Sequence, residues 1–479
     1  MIPFGPWRPD AAGINSAAVI EAKGCVPSDN GFAPIKSAVG ATDALPAACV
    51  GAAVVLGDNG TATHYAGTTS QLYKLGAVGS WSAIGAGGYA VPQGDLWKFT
   101  TFGGSNVIAA NIVSKLQLSS SGGSFANITA APKARYVATV RDFVFAGSLE
   151  NYEARVQWSA IGDVTGWTPG TNQSDYQDAR SGGPVKGMIG GETGYVFQQQ
   201  SVTRMTFVPG SSEVFQFDEV EGARGLVAPH SLVRIGRTAF YLAQDGLYEF
   251  DVGAGSSQPI GIGRWARFLA NDIRPGGEAL MMASADPISK RVMFAYVSRD
   301  NSSTTLPDRA LIYDRTLQDA AIVDLSLECL VQWITQGVTI DTMNSYGTLD
   351  TLPFSLDSSF WRGGAGLLGI FDTGHKLASF QGVNMAAQWT TTDGFKGSSV
   401  LVSGVTPHID ATTATVAIAA RERDGDAIIY AAAESMEDTG SVSAWSAGKY
   451  LRARIAVPTG AQWTAFKGIE TRTEHGGDR

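Results

Sequence analysis

The chain has 479 residues, 58 of them glycine, with 16% charged and 10% aromatic residues. That length exceeds one ordinary core and calls for several domains or one large repeat domain with an appendage, and excess glycine with sparse charge favours many short hairpins over long helices. A net charge of −9 without a long Lys/Arg run excludes a protein that grips nucleic acid by its phosphates, and three scattered cysteines (Cys25, Cys49, Cys329) exclude a disulfide framework or a cysteine zinc site.

The opening residues Met1 to Trp7 have no basic region followed by an apolar core, and no apolar run reaches the ~20 residues needed to span a bilayer. The expectation is a chain made and folded in a cytosol. Residues 1–45 read as an extended arm, because Pro3, Pro6, Pro9, Pro27 and Pro34 break any helix and Asn30-Gly31 marks a turn. Such an arm either lies across other elements or supplies a closing strand to the last sheet of the same chain.

Residues 46–397 repeat one pattern: a short apolar run, a polar turn, a second run. Val54–Leu56, a turn at Asp58-Asn-Gly60 and Gln71–Leu75 make the first unit, closed by Trp81. Asn106–Ile108 with Lys115–Leu118 make the second, and Arg141–Ala146 with Arg155–Ser159 the third. Gly194–Phe207 and Arg237–Phe250 are the clearest pair, about 45 residues apart, the period of a propeller blade. In the fourth unit Val202, Arg204 and Thr206 point one way and Thr203, Met205 and Phe207 the other; in the fifth, Gln244-Asp-Gly246 is a hairpin turn. Arg291–Tyr296 with Ala310–Asp314 make a sixth. Gly366–Asp372 with Leu377–Phe380 make a seventh or complete the sixth. From residue 398 the turns loosen: Ser399–Val402, Thr415–Ala420, Tyr450–Ile455 and Trp463–Phe466 read as strands, and Ile428–Glu434 as strand or short helix. The predicted fold is mainly β: a β-propeller of six or seven irregular blades, then a small β-sandwich-like domain over 398–479. A pair of β-sandwiches shares the turn spacing and is the competing architecture.

Catalytic patterns are absent from the sequence. His64, His230, His375, His408 and His475 stand far apart without ligand spacing, and there is no G-x-S-x-G elbow and no phosphate-binding loop. Gly187, Gly190, Gly191 and Gly194 read as turns between strands. Ser159 to Trp167 approaches the Asp-box turn of sialidase-type propellers, but Asp163 stands four residues after Ser159 instead of two. A sialidase-like glycosidase would need paired carboxylates or a nucleophile beside an arginine cluster; Arg204, Arg224, Arg234 and Arg237 serve only if they converge. Asn127 and Asn172 fit the glycosylation pattern but carry no weight without a secretion signal. No residue is assigned a catalytic, cofactor or metal role.

Four segments together resemble the tail nozzle, or tail hub, proteins of short-tailed bacteriophages, also called packaged-DNA stabilisation proteins. They are Pro6-Trp-Arg-Pro-Asp10 with Ala22–Pro27 and Gly31–Pro34; Val156-Gln-Trp-Ser159 with Asp163 and Trp167; Lys186–Gly190 with Val196-Phe197 and Ser201–Arg204; and Gly448–Arg454 with Trp463 and Gly468-Ile-Glu470. Gly24-Cys25 departs from the Asn-Val often found there, which bears on local hydrogen bonding of the arm. The resemblance implies a non-enzymatic virion protein, assembled in the host bacterial cytoplasm as a ring, usually of six chains, below the portal and its adaptor. Such a ring retains the packaged genome, conducts double-stranded DNA through its lumen without specific binding, and carries tail fibres or spikes. An acidic chain suits a wall along which a polyanion slides, since every Lys or Arg against phosphate adds affinity, although net acidity also simply keeps proteins soluble. The low charge fraction suits extensive ring and stacking interfaces. A glycan- or receptor-binding propeller module of a phage tail is the second reading, and the glycosidase the third.

Overall fold

In the strand Phe143–Leu149, Phe143 and Phe145 pack to one side with Trp158, Val185 and Met205, while Val144 and Ala146 pack to the other with Ile108, Leu116 and Trp167. The same division recurs at Val196 against Tyr195 and Phe197, and at Met293 and Ala295 against Val292, Phe294 and Tyr296. Each sheet is therefore dry on both faces and serves two neighbours. Strands buried on both faces read as continuous apolar runs, and sheets that each need a partner on either side are satisfied by a closed ring.

The computed structural model describes residues 2–10, 13–57, 62–76, 79–179, 181–211, 213–286, 288–301, 306–335, 352, 356 and 366–475. The expected turn at Asp58–Gly60 and the end of the C-terminal tail lie outside them. The protein is mainly β, with a propeller and a further sheet at the C-terminus. Six blades are free-standing four-stranded antiparallel sheets. Blade 1 spans 52–83, blade 2 spans 98–127, blade 3 spans 134–178, blade 4 spans 185–221 and blade 5 spans 233–259. Blade 7 is built from Cys329–Ile334, Gly366–Phe371 and Lys376–Asn384, and its outer strand is Lys36–Ala44 from the N-terminal arm. The seventh four-stranded set, here blade 6, spans 282–324 and takes the remaining place in the circle, but it continues into the C-terminal sheet. The first strands of successive blades touch around the axis, except that the turn Pro229–Ser231 lies between blades 4 and 5.

The arm threads the C-terminal sheet. Val19–Lys23 pairs antiparallel with Ala387–Thr391 and meets blade 6 in parallel at Lys23 and Ile322. Gly31–Pro34 reaches the last strand at Phe32 and Phe466, and Ile2–Pro3 pairs with Ile469 and Gly468. Gly394–Ile409, Thr415–Arg421, Ser446–Val457 and Phe466–His475 complete the sheet. One core holds Trp7, Val19 and Phe32 of the arm with Trp389, Ile455, Trp463 and Phe466. The stretch Ile428–Glu434 forms neither a full strand nor a helix: Tyr430 bridges Ala419, and only Glu434–Ser435 pair.

Gly24 is fixed in the arm by its backbone. Its φ is 68°, the left-handed region that glycine and asparagine tolerate best, and a Cβ there would collide with the carbonyl oxygen of Ala386. Among the described residues, no helix is long and apolar enough to cross a membrane.

Candidate functional site

The ring places the leads into its innermost strands around one axis, and two adjoining cavities lie there. The outer cavity, about 820 Å³, is lined by Cys49 before blade 1, Asp95 before blade 2, Arg135 and Tyr136 of blade 3, Lys186 of blade 4, His230 before blade 5 and Glu328 before blade 7. The inner one, about 380 Å³, is lined by the first strands themselves, including Lys98, Arg234, Ser284, Cys329 and Gln332. Leu96, His230 and Met282 line both. These volumes are of small-molecule size.

The outer rim is held by an ion pair between Arg135 and Asp95, which ties the lead of blade 2 to blade 3. Burial raises the Asp95 carboxyl above its ordinary value against the nearby charges of Arg135 and Lys186. His230 reaches across the axis, its Nε2 lying 2.9 Å from the carbonyl oxygen of Gly94. Burial, and next the charge of Lys98, lower its pKa to about 3, so its ring is neutral at physiological pH. Lys98 sits deep in the molecule, with part of its side chain still facing the cavity. Burial lowers its amine to about 8.

Below His230 the blades close on two thiols. Cys329 opens the first strand of blade 7, and Cys49 precedes blade 1. The Cys49 thiol donates to the carbonyl oxygen of Gly51 at 3.6 Å and the Cys329 thiol to that of Leu330 at 3.4 Å, and both cysteines are buried in one apolar cluster. Glu328 is nearly buried: its Oε2 accepts the Cys49 backbone N–H at 2.8 Å, and its Oε1 meets His375 Nδ1 at 2.5 Å. His375 has φ 64° in the turn of blade 7, and its carbonyl accepts the N–H of Leu45, so this ring edge is tied at several points. His64 is elsewhere, edge-on to Trp333, with its pKa lowered by burial to about 4. His408 lies beside Glu470 in the C-terminal sheet. Among the described residues, no three His, Cys, Asp or Glu side chains gather as a metal site.

The four arginines are held by separate partners. Arg204 pairs with Asp218, Arg224 with Glu221 over the ring of Tyr248, and Arg234 donates to the carbonyls of Gly190 and Gly236. Arg237 lies near Asp251, where it helps hold that carboxyl below its usual range behind the backbone N–H groups of Ala254 and Gly253. The glycine-rich stretch needs a correction: Gly190 and Gly191 turn, but Gly187 and Gly194 lie within strands. A Cβ on Gly187 would press on Leu226 and Leu232, and one on Gly194 on Met205 and Val140, so both allow close packing within the ring.

The segments that carry the family resemblance are structural joints. Trp7 is fully buried, edge-on to Phe268, and its indole donates to Ile20. Ser159 accepts from the Val144 N–H, Asp163 from Thr165, and the Trp167 indole donates to Val164, which folds the connection over blade 3. Arg452 grips Asp393 through two nitrogens, and Arg454 lies 3.9 Å over the ring of Tyr430.

No family model matches the sequence, and no curated protein matches it. Among solved structures the likeness is low in both identity and TM-score. The extracellular domain of a putative hybrid two-component system from B. thetaiotaomicron is 10% identical with a TM-score of 0.40, over 78% of this chain and 43% of that one. The chain thus spans less than half the length of that structure. The Pan2 WD40 domain of Neurospora crassa is 8% identical with a TM-score of 0.39, over 70% and 91% of the two chains. U3-55K is 12% identical with a TM-score of 0.38, over 62% and 89%.

Proposed function

We propose that this chain is a non-enzymatic structural protein of a short-tailed bacteriophage tail, assembling as a nozzle-type ring, with six chains as the expected number. The observation that carries the reading is where its resemblance segments sit: Trp7 and Asp10 fasten the arm to blade 6 and to the helix Ala266–Asp272, Trp158 and Trp167 hold the connection over blade 3, and Arg452 grips Asp393 within the C-terminal sheet. A ring subunit subjected to the passage of DNA needs such joints. The C-terminal region also exposes Ile429 and Trp445, at 75% and 66%, which suits a surface met by other subunits.

The axial cavities are too small to be a duct for duplex DNA, so in this reading the duct is the space enclosed by several chains. Each chain brings a formal charge of −9 to that wall, and a wall of that sign does not trap a polyanion bearing one charge per ~1.7 Å. The adaptor below the portal and the tail fibres or spikes are the partners this role requires, and the virion tail is its place.

Negative-stain microscopy and analytical ultracentrifugation of the full chain, alone and with the adaptor ring, test the proposal. Rings of uniform order support it; monomers under every condition overturn it. The outer cavity, with Gln93, Asp95, Arg135 and Lys186 at its mouth, favours a second reading as a glycan-binding propeller module. Glycan-array binding that is lost in Arg135→Ala, together with a chain that stays monomeric, would select it.

A further inference from the structure

The inner axial cavity has a sign opposite to that of the chain. Its charged lining residues are Lys98, from the first strand of blade 2, and Arg234, from the first strand of blade 5; among the described residues no aspartate or glutamate lines it. Blade 1 brings Ala52 and Ala53 there and blade 6 brings Ala283 and Ser284, so small side chains leave space beside the two cations. The Lys98 amine pairs with no carboxylate, and the Ser284 hydroxyl has no partner, among the described residues. Arg234 is anchored by the carbonyls of Gly190 and Gly236, and the Gln332 amide by the carbonyl of Ala285, and none of these acceptors carries a charge. Placing a cation deep in a protein without a counter-charge is unfavourable, and an anion in the cavity removes that cost. Burial lowers the Lys98 amine to about 8, which still leaves most of it charged at neutral pH.

We propose that the inner axial cavity binds a phosphate dianion, free or as the head of a small phosphomonoester. The charge count selects a dianion: two cations line the cavity and no acid does, so a monoanion leaves one charge unmatched. The donors select a tetrahedral group. Lys98, Arg234, Ser284 and Gln332 come from blades 2, 5, 6 and 7, which stand around one axis, and a phosphate presents oxygens in four directions where a carboxylate presents two in a plane. The cavity of about 380 Å³ holds the phosphate group, and the adjoining one of about 820 Å³, which shares Leu96, His230 and Met282 with it, has room for the organic part of a monoester. A phosphate within a DNA strand carries one charge and is flanked by chain on both sides, so it suits this enclosed place poorly. The site does not depend on the tail role proposed above.

Isothermal titration calorimetry of the full-length chain with sodium phosphate tests the site, with sodium chloride holding the ionic strength constant because screening alone alters such binding. One ion per chain is expected to bind. Lys98→Met should weaken binding by about tenfold or more, and Ser284→Ala by about threefold. Lys186→Met, which lies in the outer cavity alone, should change it by less than about twofold. Phosphate should also raise the melting temperature of the natural chain and not that of Lys98→Met. Glycerol 3-phosphate separates the two sources: tighter binding than phosphate identifies a monoester as the ligand, and equal or weaker binding identifies the free ion. No binding heat and no rise in melting temperature in millimolar phosphate would overturn the proposal, as would equal weakening in Lys98→Met and Lys186→Met. If Lys98→Met does not fold, acetylation of the natural chain with peptide mapping decides. Phosphate should slow the labelling of Lys98 and leave that of Lys186 unchanged, and unchanged labelling of Lys98 overturns the assignment.

Discussion

The backbone N–H of Trp7 donates to Oδ2 of Asp319 at 3.2 Å, although 312 residues of chain separate them. This contact fastens the opening arm to the outer strand of blade 6. Asp319 is nearly buried, and burial raises its pKa to about 6 despite the hydrogen bonds from Ala320 and Trp7. The folded chain thus holds this proton more tightly than the unfolded chain, whose carboxyl titrates near ~3.9. The stabilising effect of protonation is complete below about pH 4 and is lost as pH rises through about 6. Asp319→Asn keeps an acceptor for Trp7 and removes the buried charge. It should raise stability near neutral pH by up to about 3 kcal/mol and leave it unchanged near pH 4. Urea titration of the two proteins at both pH values checks this.

Asp10 caps a helix to which it is not adjacent. Its two carboxylate oxygens each accept at 2.8 Å from the backbone N–H groups of Arg267 and Phe268, in the first turn of Ala266–Asp272. The local cap position, Trp265, offers no side-chain bond. Asp10→Ala should cost about 1 kcal/mol, the usual worth of an N-cap, while Asp10→Asn should cost a few tenths. Equal losses in the two variants would show that charge and not capping matters there.

Asp393 joins the C-terminal strands by charge. It meets Arg452 at 2.6 and 3.1 Å and Arg421 at 2.7 Å, and the Arg421 side chain is 5% exposed. Removing the carboxylate leaves two guanidinium groups facing each other with little water. Asp393→Ala should therefore destabilise by roughly 3–5 kcal/mol, the range for breaking a buried pair from one side. Arg452→Ala should cost less, since Arg421 keeps its partner. Differential scanning calorimetry of the two variants orders them.

The propeller was legible because each unit carries its own turn chemistry and its own apolar runs. Thr238–Ala243 and Gly246–Asp251 pair through a two-residue loop, and Gly246 takes a φ of 141°, as its place after Gln244 and Asp245 required. The fusion of blade 6 to the C-terminal sheet was not legible. Val19–Lys23 finds Ala387–Thr391 across most of the chain, and no local pattern names a partner so distant. The same holds for Asp10, whose capped helix lies 257 residues away. The axial cavities were hidden for another reason: Lys98, His230, Gln332 and the other lining residues are brought together by ring closure, so their spacing in sequence follows no motif. Gly187 was misread as a turn because glycine marks both tight turns and strands that must approach closely; its neighbours Leu226 and Leu232 decide between them.

Ring closure itself rests on a strand borrowed from the arm. Lys36–Ala44 pairs with Lys376–Asn384 as the outer strand of blade 7, and the Leu377 N–H donates to Thr42 Oγ1 at 3.1 Å. Ala41 and Leu45 pack there with Cys49, Trp333, Phe371 and Leu377, so the first and last blades share one apolar cluster. Ala41 faces that cluster, whereas Ala44 in the same strand faces solvent. Ala41→Asp buries a carboxylate with no cation beside it and should cost roughly 2–4 kcal/mol, whereas Ala44→Asp should change stability by less than about 0.5 kcal/mol. Hydrogen exchange should show the loss first in Lys376–Asn384, the strand that the borrowed one covers. Equal exchange in both variants would mean that blade 7 holds together without the arm.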